Sequence, residues 1–260
     1  MSSFDGASIL VTGGSRGIGK AIALRFAELG ADRVAIGYFR GDRAAEETAE
    51  ELRSLGAEPI LIRANVASER MVDEVAALGP LDAIVHSAAT GVIRPALETT
   101  DKHWDWTLGA NARAFLAVVR AAAPSMPQGS SVVALTSLGS TRVLENYAIV
   151  GASKAALESL VRYLGVELAP RGIRVNAISA GVVETDALEF FPNREEMLAM
   201  GRMAPAGRLV TPAEVAALTT FLCSPDAEMI VGQTIVIDGG AGLLFVAPGD
   251  VPSAAPGDDA

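Results

Sequence analysis

Ser8-Ile9-Leu10-Val11-Thr12-Gly13-Gly14-Ser15-Arg16-Gly17-Ile18-Gly19 runs from an apolar strand through a glycine-rich turn into a helix. Glycines at such a turn let the backbone reverse tightly and approach a ligand, and a helix that starts there offers free N–H groups to an anion. A glycine triplet alone is a weak signal. Its place at the first strand–helix junction of an alternating chain makes it a dinucleotide-binding signature.

Outward from this junction, strand-like apolar runs fall at 8–13, 33–38, 59–65, 81–88, 131–137, 173–179 and 233–238. Helix-like stretches fall between them at 18–29, 42–55, 68–77, 102–123, 147–169 and 212–223. Continuous apolar strands interleaved with helices imply a parallel sheet covered on both faces. Right-handed crossovers then give an α/β, Rossmann-type doubly wound sheet of about seven strands. No internal repeat or linker divides the chain, so residues 1–246 are expected to form one dinucleotide-binding and catalytic domain. The Pro-, Ala-, Gly- and Asp-rich tail 247–260 is expected to be disordered. The segment 186–203 breaks the alternation and is expected to hold a short helix.

With 260 residues, half of them hydrophobic, the chain can bury a full core. No apolar run approaches the ~20 residues of a membrane span. The N-terminus lacks a secretory pattern. One cysteine, Cys223, fits a reducing compartment and a packed thiol, so a cytoplasmic location is expected. A net charge of −10 argues against nucleic acid as a partner. Two histidines and one cysteine give no metal-ligand spacing, and no metal is expected.

Where the second strand ends, folds that prefer NAD carry an acidic residue for the ribose hydroxyls. This chain reads Gly37-Tyr38-Phe39-Arg40-Gly41-Asp42 instead. Arg40, with Arg16 in the glycine turn, has the guanidinium geometry to clamp a 2′-phosphate. Asp42 lies close by, but NADPH is the expected cofactor.

The TGGSRGIG turn, the lysine in a long helix after a serine-bearing strand, and the segment 176–185 together resemble the short-chain dehydrogenase/reductase superfamily over residues 6–245. That resemblance implies a nicotinamide cofactor, a homotetramer, and a Tyr/Lys pair assisted by a serine and an asparagine. Onto this chain it carries Tyr147, Lys154, Ser137 and Asn111 as catalytic residues. It also carries Gly13, Ser15, Arg16, Gly17, Ile18, Gly19, Arg40, Asn65, Val66, Ser87, Lys154, Gly181 and Thr185 as cofactor contacts. Three positions depart from the common pattern. His86-Ser87-Ala88-Ala89 replaces Asn-Asn-Ala-Gly, Asn65 replaces an aspartate, and Ala180 replaces the proline before Gly181.

The tyrosine departs most. Four residues before the lysine stands Val150, and the nearest tyrosine is Tyr147, seven before it. This spacing, with HWDWT (103–107), SLGS (137–140), LENY (144–147), TDAL (185–188) and FPNRE (191–195), resembles the NADPH-dependent third bacterial class of enoyl-acyl-carrier-protein reductase. Moving a helical tyrosine by three residues displaces its backbone by ~4.5 Å. In an enoyl thioester the hydride goes to the β-carbon while charge gathers on an oxygen two carbons away. An acid set farther from the nicotinamide suits that reaction.

Tyr147 is therefore expected to stabilise an enolate oxygen, and Lys154 to hold the nicotinamide ribose and favour a polarised phenol. Asn111 is expected to order the lysine and a water, and Ser137 to contact thioester or cofactor. Thr185 serves either the nicotinamide carboxamide or a helix N-cap. Leu188, Phe190, Phe191 and Met197 line an acyl chain or belong to the core. Trp104 and Trp106 are expected in the core or a subunit interface. The substrate is an enoyl thioester on acyl carrier protein or CoA. A ketoreductase using the same tyrosine, and a nucleotide-binding protein without catalysis, are the alternatives.

Overall fold

The computed structural model describes residues 4–185 and 194–244. Seven strands form one sheet: β1 (Ser8–Thr12), β2 (Arg33–Tyr38), β3 (Glu58–Arg63), β4 (Ala83–His86), β5 (Ser131–Ser137), β6 (Arg174–Ala180) and β7 (Thr234–Ile237). Their order is β3-β2-β1-β4-β5-β6-β7, and every neighbouring pair is parallel. The chain winds outward from β1 in both directions, so the connections after β1 and β4 part and leave a crevice at the strands' C-terminal ends. Thr12 and His86 are register partners at that point.

The described residues form eight α-helices: α1 (Gly17–Glu28), α2 (Asp42–Ser54), α3 (Glu69–Ala77), α4 (Asp101–Leu108), α5 (Ala114–Ala122), α6 (Ala148–Leu168), α7 (Arg194–Arg202) and α8 (Pro212–Cys223). Side chains alternate along each strand, so successive residues enter opposite layers. In β1, Ile9 and Val11 join Phe26 of α1, Leu52 of α2 and Val215 of α8, whereas Leu10 joins Val75 of α3, Phe115 of α5 and Leu157 of α6. Both layers are buried, which is why the strands read as unbroken apolar runs.

The helix expected over 102–123 is interrupted. Between α4 and α5 the chain makes a π-helical turn at Gly109–Arg113. Such a turn widens the helix locally and is common beside functional sites; here it carries the fully buried Asn111. Trp104 and Trp106 are not core residues: they are 47% and 51% exposed. Cys223 is packed, and burial pushes its thiol up to about 12. A short helix, α7, lies within the expected segment, and the tail 247–260 falls outside the described residues. Among the described residues no helix is long and apolar enough to cross a membrane.

Candidate active site

The first turn of α1 is left open by its own sequence. Arg16 stands at the N-cap without a side-chain cap, and no acidic residue enters the first turn. The leading N–H groups have no intrahelical acceptor and carry the positive end of the helix dipole. Two glycines shape the approach. A Cβ on Gly13, whose φ is +71°, would lie 2.8 Å from the Ala88 nitrogen, and one on Gly19 would collide with the Gly13 carbonyl. Strand, turn and helix therefore close on one another with only backbone between them.

This turn floors a cleft of about 490 Å³. Gly13, Ser15, Arg16, Gly17, Ile18 and Gly19 line it, with Arg40 beyond β2, Asn65 and Val66 beyond β3, Ser87 beyond β4 and Thr185 beyond β6. Arg40 lies over the Phe39 ring, 5.6 Å from its centre. Asp42 is drawn away to Arg63 at 3.1 Å and does not line the cleft. Gly181, like Lys154, is not among the residues lining this cleft; Asp238 packs on Gly181, where a Cβ would approach to 2.9 Å. Trp106, Thr90 and Ala110 line the cleft without having been expected there. Ala110 sits on the π-turn, Thr90 is held by Asn111 of that turn, and Trp106 comes from α4; local sequence gives no sign of the turn.

The second half of the site is built at the end of β5. Asn146 adopts a left-handed backbone with φ of 59°, which asparagine tolerates, and its carbonyl accepts from the Arg94 N–H at 2.9 Å. Tyr147 follows as the N-cap of α6, its carbonyl accepting from Gly151 N–H at 2.7 Å. The phenol ring lies on Gly139, where an added Cβ would sit 2.5 Å from the ring. Its hydroxyl comes within 3.3 Å of Ser137 Oγ. Burial raises the phenol above its ordinary value, and the Ser137 hydrogen bond partly offsets this, so the hydroxyl keeps its proton. Val150 is buried and packs directly against Gly91.

Lys154 is buried beneath this corner and donates to the Leu135 carbonyl at 2.9 Å. Burial lowers its ammonium to about 8, against the opposing pull of Glu158. The Asn111 side chain does not bond the lysine. It donates to the Thr90 carbonyl (2.8 Å) and Ser153 Oγ (2.9 Å) and accepts from Thr90 N–H (2.9 Å), which joins α6 to the cleft wall. His86 is neutral, pushed down to about 3 by burial and by the Lys154 charge. Its Nδ1 meets Thr12 Oγ1 at 3.1 Å, and its Nε2 makes no hydrogen bond of good geometry.

Of the residues expected around an acyl chain, Met197 is half-buried in α7, while Leu188, Phe190 and Phe191 lie outside the described residues. Among the described residues no group of three or more His, Cys, Asp or Glu is placed to hold a metal.

An open helix start at the switch point, with a half-buried tyrosine and serine above a buried lysine, marks an oxidoreductase of the short-chain dehydrogenase/reductase type. Within that superfamily the chain belongs to the family described as enoyl-(acyl carrier protein) reductase, whose model matches residues 13–242. It is 39% identical over 247 residues to 1-cyclohexenylcarbonyl-CoA reductase of Streptomyces collinus, covering 92% of this chain and 87% of that one. It is 32% identical to the hydroxynaphthalene reductase-like protein Arp2 of Metarhizium brunneum, covering 92% and 96%. A short chain dehydrogenase from Burkholderia cenocepacia, solved in complex with NADP, superposes with a TM-score of 0.82 at 36% identity, covering 92% and 98%.

Proposed function

We propose that the protein is an NADPH-dependent reductase of the trans-2 double bond of an enoyl thioester carried on acyl carrier protein or CoA. The cofactor, when bound, supplies the hydride. The residues present fit it: the open start of α1 suits a pyrophosphate, and Arg16 and Arg40 have no acidic partner among the described residues and suit a 2′-phosphate. The solved relative named with NADP agrees with this cleft.

One observation carries the reaction: the phenol of Tyr147 enters the Ser137 corner from the start of α6, while Val150 fills the place one turn nearer Lys154. As the β-carbon of the thioester accepts hydride, negative charge moves to the carbonyl oxygen. Tyr147, still protonated, donates a hydrogen bond to that oxygen, a contact that strengthens only as charge develops. A proton from solvent water, added at the α-carbon, completes the saturated thioester. Ser137 orients the phenol, Lys154 holds the ribose end, and Asn111 fixes the wall between them. A second reading, carbonyl reduction, draws on the same Tyr147–Ser137 contact and on the hydroxynaphthalene reductase-like relative.

Crotonyl and acetoacetyl thioesters, each offered with NADPH while its absorbance is followed, separate the two. Consumption with the crotonyl thioester is expected; turnover of the keto thioester alone sinks the enoyl reading. Replacing Tyr147 with Phe should lower kcat by about 100-fold or more with NADPH affinity nearly unchanged. The proposal includes a cytoplasmic homotetramer, in which exposed Tyr163 and Val166 of α6 meet a second copy. Light scattering on the purified protein tests the assembly.

A further inference from the structure

Lys154 shares the buried face of α6 with a carboxylate that the proposed reaction leaves without a role. Glu158, one turn farther along α6, is only 6% exposed, as is Lys154 itself. Its Oε1 accepts a hydrogen bond from Thr136 Oγ1 at 2.7 Å, from the strand whose preceding carbonyl, that of Leu135, receives the Lys154 ammonium. Strand β5 thus holds both charged groups with successive residues. A carboxylate buried at this depth is costly unless it is hydrogen-bonded and near an opposite charge.

We propose that Glu158, tethered by Thr136, is a positioning residue that keeps Lys154 a protonated cation beneath the active-site corner. The proposal rests on the reading of this corner as the cofactor and catalytic site, but not on which thioester is reduced.

Among the described residues, the surroundings of Lys154 leave Glu158 as the anion available for this work. Strand β4 contributes His86, which is neutral, and β5 contributes only the Leu135 carbonyl and the Thr136 hydroxyl. The N-terminal end of α6 contributes the Tyr147 phenol, which burial keeps protonated. The π-turn contributes the amide of Asn111, committed to Thr90 and Ser153. Arg113 on that turn and Asp105 on α4 are exposed to solvent. Burial alone pulls the ammonium down, and Glu158 is the charge that pulls it up. Without that carboxylate the cation loses its proton at lower pH.

The test uses the full-length protein and reads two quantities against pH: NADPH affinity by fluorescence, and kcat/KM with whichever thioester is turned over. In Glu158→Gln, which keeps an acceptor for Thr136, the alkaline fall-off of both quantities should move down by about one pH unit. Glu158→Asp should bring it most of the way back, because the charge is restored. Thr136→Val should shift it the same way by less, and it carries the test should Glu158→Gln fail to fold. A uniform loss at every pH with the fall-off unmoved would mean Glu158 only packs, and an unchanged profile would also overturn the proposal. Failure to turn over any enoyl thioester would end the enoyl reading but leave the NADPH affinity profile to decide this one.

Discussion

The first turns of two helices in this molecule, α1 and α8, are finished in opposite ways. At the start of α8, Thr211 accepts from the Glu214 N–H, Glu214 accepts from the Thr211 N–H at 2.9 Å, and Arg208 clasps the same carboxylate at 2.6 and 2.9 Å. The cap is reciprocal, and its acid also has a cationic partner. At the start of α1 there is no side-chain cap, no acid, and glycines where a side chain would close the turn. The same requirement, satisfying N–H groups left over by helix geometry, is met within the chain at α8 and is left at α1 to the NADPH of the proposed function. At α1 the missing cap coincides with close-packed glycines and an open cleft, and that combination suits an anion.

The sharpest way to break this contrast is to fill the open turn. Gly19→Ala sets a methyl group against the Gly13 carbonyl, with backbone on both sides and no flexible side chain to give way. The expected result is a rise in the NADPH dissociation constant of at least about 100-fold, or roughly 2.7 kcal/mol. Titration followed by fluorescence, with circular dichroism to confirm folding, checks it. Near-normal affinity would mean the turn is not the phosphate cradle.

A smaller effect sharpens the chemistry of the same end. Arg40 rests on Phe39 at the cleft rim and has no acidic partner among the described residues, whereas Asp42 is engaged by Arg63. Arg40→Ala should weaken NADPH by about tenfold and leave NADH almost unaffected, since a charge-assisted hydrogen bond to phosphate is worth about 1.5–3 kcal/mol before solvent screening. Equal losses for the two nucleotides would remove the phosphate clamp.

The open end of α1 was legible because its chemistry is contiguous: strand, glycines and helix lie within a dozen residues, and each local preference agrees with the fold. The sheet was legible for a similar reason, since strands buried on both faces read as unbroken apolar runs. The tyrosine spacing was also visible, but its meaning was not, because reach depends on Gly139 and on the left-handed turn at Asn146. Asn111 is singled out in the sequence only by the family resemblance, and its partners Thr90 and Ser153 lie 21 and 42 residues away. The same distance hid Glu158, whose partner sits on another element. Long-range pairing of single polar side chains leaves no periodic trace in a sequence.

The smallest expected effect belongs to the closed helix. Thr211→Ala removes the side-chain acceptor for the Glu214 N–H and leaves the Glu214–Arg208 contact in place. Loss of an N-cap of this kind costs about 1 kcal/mol. For a chain of this size that lowers the melting temperature by about 2–4 °C. NADPH affinity should not change, because α8 lines no part of the cleft. The two N-termini thereby separate on two measurements: the capped one moves stability and spares binding, and the uncapped one moves binding first. A Thr211→Ala protein that lost NADPH affinity would show that the two ends are coupled through the α1–α8 layer, and the division of labour between them would not hold.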